Sequence, residues 1–244
     1  MGSFRYWSDW FWKRAGGRFD YSVGIAYAAT CALDVYVDEV AGLTPVSAAA
    51  HIGRGKHWVP DGTDERSLHG CVIVGRSGGV ILVEKSDSEA EKRFTVAHEV
   101  SHYNLELKQH CERATDRMGR EFADTLHGLR EATPTERIDA WLNNTRSEPF
   151  AHFMDRAPRG GYGCSRTLEA ECYADSLALE ILAPRAELAA AISSMGFSES
   201  LKVSRMVAER RFGLPEGVAE RYASRVVWQL TGGPSIAERF GFIT

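Results

Sequence analysis

The chain is poor in the features that would staple, anchor or charge it. Its five cysteines, Cys31, Cys71, Cys111, Cys164 and Cys172, are odd in number and none forms a CxxC pair. A disulfide framework is therefore not expected, and a reducing cytosol (a cytoplasmic location) is the expected compartment. Long apolar runs are also missing. The aromatic stretch from Met1 to Trp12 is broken by Arg5 and Asp9, with Lys13 behind it. No secretory leader and no transmembrane span are expected from such a pattern. Nor is there a dominant charge: the formal net charge is −4 over 244 residues. That balance offers no overall attraction to nucleic acid or to an anionic membrane, so neither is an expected partner. The length suits a single domain with a sizeable core.

What is present is chemical. His98-Glu99-Val100-Ser101-His102 places two imidazoles four residues apart. On a helix they face the same way and can ligate one zinc ion, while Glu99 between them can serve as general base. The surroundings favour such a helix. Cys71–Val74 and Val80–Val83 are β-branched runs joined by a Gly-rich turn, which predicts a hairpin. Ser88 with Glu91 then makes a capping box, opening a helix over about 89–107. A helix is also expected around 22–33. Asp34-Val35-Tyr36-Val37-Asp38 alternates like a strand, and local pattern alone does not decide it.

Two histidines need a third partner, since a catalytic zinc keeps three protein ligands and one open position. Thr167 to Ala183 reads as a long helix stopped by Pro184. Glu171 and Asp175 share one of its faces. Glu171 is the expected third metal ligand, and Asp175 the carboxylate that accepts the outward N–H of a ligand histidine. Glu169 lacks a partner four residues on. Glu180 lies about 100° round the helix from Glu171. Candidates for a donor to the developing oxyanion are Tyr162, His152, Arg166 and Tyr173.

The segment Phe94-Thr95-Val96-Ala97-His98-Glu99-Val100-Ser101-His102 resembles the FTLAHELGH block of the ImmA/IrrE family of zinc metallopeptidases. Glu171 to Pro184 resembles that family's second block, ExEANxFAxxLLMP. Serine stands at 101 in place of the usual glycine, and alanine at 183 in place of the usual methionine. About 60 residues separate the two blocks, more than in compact members. The resemblance implies an α+β, zincin-like metallopeptidase fold of the gluzincin type. A small β-sheet would pack on the HExxH helix, with a mostly helical C-terminal half. It further implies a zinc-dependent endopeptidase with His98, His102 and Glu171 on the metal and Glu99 as base. Manganese is an alternative ion at such a site. Its protein substrate would be a helix-turn-helix transcriptional repressor in a stress or phage-like circuit.

The chain is accordingly expected to form one metallopeptidase domain over 1–244. Its parts would be an N-terminal helical and loop region (1–68), hairpin and motif helix (69–107), a helical insert (108–166), and the third-ligand helix with C-terminal helices (167–244). The rival reading is a regulatory or toxin–antitoxin module that binds zinc and a partner without cutting it. A purely structural zinc site would need a fourth protein ligand, with Cys172 or His152 as the suspects. Otherwise Cys172 reads as a buried small hydrophobe and His110-Cys111 as surface. The early aromatics read as a helix packed on the body. The run Met206 to Pro215 has a helix-turn-helix look. Glu216 and Glu220 near the start of the next helix would repel phosphates, so it reads as a packing motif.

Overall fold

The computed structural model describes residues 4–18, 24–53, 66–75, 77–156, 165–194 and 201–232. The N-terminal part contains α1 (Phe4–Arg14), α2 (Ile25–Ala32), β1 (Val35–Val40) and α3 (Pro45–His51). The hairpin follows as β2 (Leu68–Gly75) and β3 (Gly78–Glu84), leading into α4 (Glu89–His102). A wider π-helical turn, Tyr103–Leu107, carries α4 without a break into α5 (Lys108–Met118). The short α6 (Ala123–Leu126) and α7 (Pro134–Leu142) come next, then a fourth strand, β4 (Ala151–Asp155). The remainder is helical: α8 (Ser165–Leu182), α9 (Arg185–Ser194), α10 (Leu201–Phe212) and α11 (Glu216–Thr231). The molecule is α+β and mostly helical, as expected. Among the described residues no helix is long and apolar enough to cross a membrane.

The sheet is mixed, in the order β1-β3-β2-β4. β2 and β3 form the expected antiparallel hairpin, with Val72 opposite Ile81. β1 pairs parallel with β3, Val37 opposite Ile81, which decides the ambiguous alternation at 34–38 in favour of a strand. β4 pairs antiparallel with β2, Val72 opposite His152. The stretch read as a helical insert is thus helical only in its first part. Its last described segment, a half-buried strand, completes the sheet.

Alternation along the strands sends Val72, Val74, Ile81 and Val83 into the main core beneath α4. Cys71, Ile73 and Leu82 go to the opposite face, against Leu43, Ala48 and Ala49. Two glycines allow close packing on the face beneath α4. A Cβ on Gly70 would run into the Thr95 methyl of α4, and one on Gly79 would meet the Tyr103 ring at 2.7 Å. Side chains at these positions would push the motif helix off the sheet. Helix α4 starts at the predicted capping box: the Ser88 hydroxyl accepts from Glu91 N–H, and the Glu91 carboxylate accepts from Ser88 N–H.

Helix α8 lies along α4 and buries Leu177, Ala178, Ile181 and Leu182. Each large aliphatic contributes about 2 kcal/mol. With Pro184 ending the helix, last-turn carbonyls need other partners. Ser8 donates to Glu180 O, the Trp12 indole to Ile181 O, and the Tyr222 hydroxyl to Ala183 O. The aromatic α1 is therefore packed on the body, as expected. The α10–α11 pair buries Val207, Phe212, Ala219, Tyr222 and Val226 in the same core, and Arg205 of α10 is paired with Glu209 and Glu216.

Glu84, at the end of β3, is buried and accepts from Gly42 N–H, Leu43 N–H, and the N–H and hydroxyl of Ser86. Burial pushes its carboxyl up, but these donors outweigh that and hold it down at about 2. A folded value below the unfolded one means stability present at neutral pH and lost as pH falls from about 4.5 to about 2. Glu84→Gln is expected to cost on the order of 2 kcal/mol at pH 7 and nearly nothing below pH 2. Thermal unfolding of both proteins across that range checks it.

Candidate metal centre

The helical repeat puts His98 and His102 on the buried face of α4, beside α8. Their Nε2 atoms face each other at 3.1 Å. Glu171 of α8 turns Oε2 toward both, 3.3 Å from His98 Nε2 and 3.7 Å from His102 Nε2. Donors 2.0–2.1 Å from a tetrahedral zinc stand roughly 3.3 Å from one another. The three separations bracket that value. Two inward-facing imidazole nitrogens and one carboxylate oxygen thus converge as a cation would require, and the donor chemistry suits zinc. The residues fit the group that the sequence implied.

The outward nitrogens are held as well. His98 Nδ1 donates to Asp175 Oδ1 at 2.9 Å, which leaves its Nε2 lone pair turned inward. His102 Nδ1 lies 3.7 Å from Glu106 Oε2, a carboxylate carried on the π-helical turn. Asp175 therefore stands where the sequence put it, while Glu106 was not foreseen. Burial disfavours charge on His98, yet Asp175 and Glu171 outweigh it and raise its pKa to about 9. Burial likewise pushes the Glu171 carboxyl up, but His102, His152 and His98 hold it far below the ordinary range. A metal competing for these nitrogens must displace protons, so loading is favoured by rising pH.

Glu99 is fully buried on the same helix. Its Oε2 accepts from His152 Nδ1 at 2.9 Å, while its Oε1 is buried with no hydrogen-bond partner. His152 sits on β4, on the sheet face that looks toward α4, and its Nε2 reaches Glu171 Oε1 at 2.9 Å. Its ring stacks on that of His102, centroids 3.6 Å apart and planes 16° from parallel. Burial opposes charge on His152, but Glu99 and Glu171 prevail and lift it to about 10. Ligand-capable atoms of His98, His102, His152 and Glu171 all lie within 4.8 Å of one another.

Of the other candidate donors, Tyr162 and the side chain of Arg166 lie outside the described residues. Tyr173 packs its ring against Phe4, with centroids 5.8 Å apart. Glu180 accepts from Arg185 N–H and Glu169 is exposed, so neither joins the cluster. Cys172 is exposed, correcting the expectation of a buried hydrophobe: it occupies α8's outer face between Glu171 and Tyr173. Cys111, expected at the surface, is buried against α6, its Sγ 3.4 Å from His127 Nε2. Ser101, where the family has glycine, is fully buried and donates to Ala97 O at 2.8 Å, so its hydroxyl is satisfied within the helix.

Residues 56–143 match the family model described as the IrrE N-terminal-like domain, a peptidase family. The resemblance to the ImmA/IrrE family is borne out over that stretch, which contains the hairpin, α4 and the histidine motif. Glu171 and Asp175 lie beyond it, and their place at the centre rests on geometry. No match was found among curated proteins or among solved structures.

Proposed function

We propose that the protein is a zinc-dependent endopeptidase. The observation that carries the reading is the convergence of His98 Nε2, His102 Nε2 and Glu171 Oε2 beside a buried carboxylate, Glu99, whose Oε1 is unpartnered. The match to a peptidase family supports it. Bound at the three donors, zinc would polarise the scissile carbonyl and acidify a water. Glu99 Oε1 takes a proton from the attacking water as the water oxygen bonds to the carbonyl carbon, and returns it to the amine nitrogen as the C–N bond breaks, so one water is consumed per peptide bond. Asp175 keeps His98 in the tautomer whose Nε2 faces inward.

The substrate is a protein segment in extended form. Among the described residues β4 pairs only with β2, and its outer backbone edge is unpaired beside the centre. An extended chain can hydrogen-bond along such an edge. A helix-turn-helix repressor, working alongside a cytoplasmic peptidase of this kind, is the target we infer from the family resemblance.

The test is incubation of the zinc-loaded protein with candidate repressors, those encoded beside its own gene first. Discrete cleavage products are expected, lost with a chelator and restored by added zinc. An intact repressor that instead forms a stable complex would favour the non-proteolytic module.

A further inference from the structure

We propose that His152 is the positioning residue of the base Glu99 and not a fourth metal ligand, an inference that rests on the metallopeptidase reading. The two oxygens of Glu171 divide the site. Oε2 faces His98 Nε2 and His102 Nε2, whereas Oε1 is bound by His152 Nε2 at 2.9 Å. His152 Nε2 therefore lies against the Glu171 oxygen other than the one that faces His98 and His102. Its second nitrogen is committed too, donating to Glu99 Oε2 at 2.9 Å. Both ring nitrogens of His152 are thus taken up by carboxylate oxygens, one of the base and one of the third ligand.

The same bond selects the working oxygen of the base. With Oε2 held, Oε1 of Glu99 is the atom left without a partner, buried in the site. His152 can impose this because it is itself fixed. Its backbone is in register opposite Val72, and its ring lies flat on His102. The bridge Glu99–His152–Glu171 ties the proton-transfer group to the third ligand, and so sets the distance between base and metal. A base misplaced by about 1 Å costs on the order of 10²-fold in turnover.

Three measurements test the proposal together. In cobalt-loaded protein the exchangeable ring protons of ligated histidines carry large contact shifts in the proton NMR spectrum. Signals from His98 and His102 alone are expected, and a third, lost in His152→Ala, would overturn the proposal by making His152 a ligand. Zinc affinity of His152→Ala, measured by chelator competition, is expected to fall about tenfold, the effect of removing a partner from behind the ligand Glu171. A loss well beyond about 10²-fold, which removal of an outer partner does not reach, is the opposing result. In peptide cleavage, His152→Ala should lower kcat about 10²-fold with KM nearly unchanged. His152→Gln, which keeps an N–H at similar reach, should recover part of the loss. Equal losses in both variants, or an effect on KM alone, would remove the positioning role. Absence of any contact-shifted signal would mean no metal at these histidines, and would take down the metallopeptidase reading itself.

Discussion

Glu99→Gln is expected to abolish peptide-bond cleavage, by about 10³-fold or more, with the metal still bound. The amide has the shape of the carboxylate, and its carbonyl oxygen can still accept from His152 Nδ1, so the bridge to Glu171 survives. What is lost is the basic Oε1, the buried oxygen that has no other partner. A positioned general base contributes about 10²–10⁴-fold, and the neighbouring carboxylates are turned to histidine nitrogens. Glu171 is engaged by three histidines and Asp175 by His98. Folding should change little, because the amide keeps the bond from His152 and Glu171 still faces that imidazole. The comparison is made on zinc-loaded parent and variant, with metal content, Tm and cleavage of the same substrate measured side by side. Retained zinc with lost cleavage supports the peptidase. A cellular activity that survived the substitution unchanged would instead favour a module that binds its partner without cutting it.

The parts of this centre that could be read from the chain are those fixed by short-range geometry. His98 and His102 share a helical face whatever surrounds them, and so do Glu171 and Asp175; both pairs meet as that spacing requires. The Ser88–Glu91 box and the Val72/Ile81 hairpin are likewise local, decided by residues a few positions apart. His152 could be named only as one of several candidates. Ala151–Asp155 is five half-buried residues with no clean alternation, and it becomes a strand by pairing with β2, far away in sequence. β1 has the same character, since its strand identity comes from parallel pairing with β3. Glu106 was hidden for a different reason. It sits on a π-helical turn, and sequence periodicity at 3.6 residues carries no signature of such a turn. Free cysteines are among the most buried residue types, and that general tendency gives the wrong answer for Cys172. On a helix, neighbours point about 100° apart, and Cys172 faces outward.

Glu171→Ala should have the largest effect on the metal. A structural zinc held by four protein ligands is worth 10–16 kcal/mol, or about 3 kcal/mol per ligand, so losing one of three donors should weaken binding roughly 10²- to 10³-fold. The substitution also leaves His152 Nε2 without its acceptor and removes the carboxylate oxygen that faces both inward nitrogens. Two imidazole nitrogens 3.1 Å apart then remain with no negative group between them. Asp175→Asn is the control that separates ligation from orientation. Asparagine keeps an oxygen to accept from His98 Nδ1 and loses only the charge behind it, so affinity should fall about tenfold, the lower end of what outer carboxylates contribute. Chelator competition at fixed pH, above the value of about 9 to which His98 is raised and again at neutrality, reads both. The gap between parent and Asp175→Asn should widen at the higher pH. The charge of Asp175 helps hold a proton on His98 that metal must displace, and at high pH that proton is already gone. Equal losses in Glu171→Ala and Asp175→Asn would mean that Glu171 acts only from behind the histidines, and the third ligand would have to be sought elsewhere.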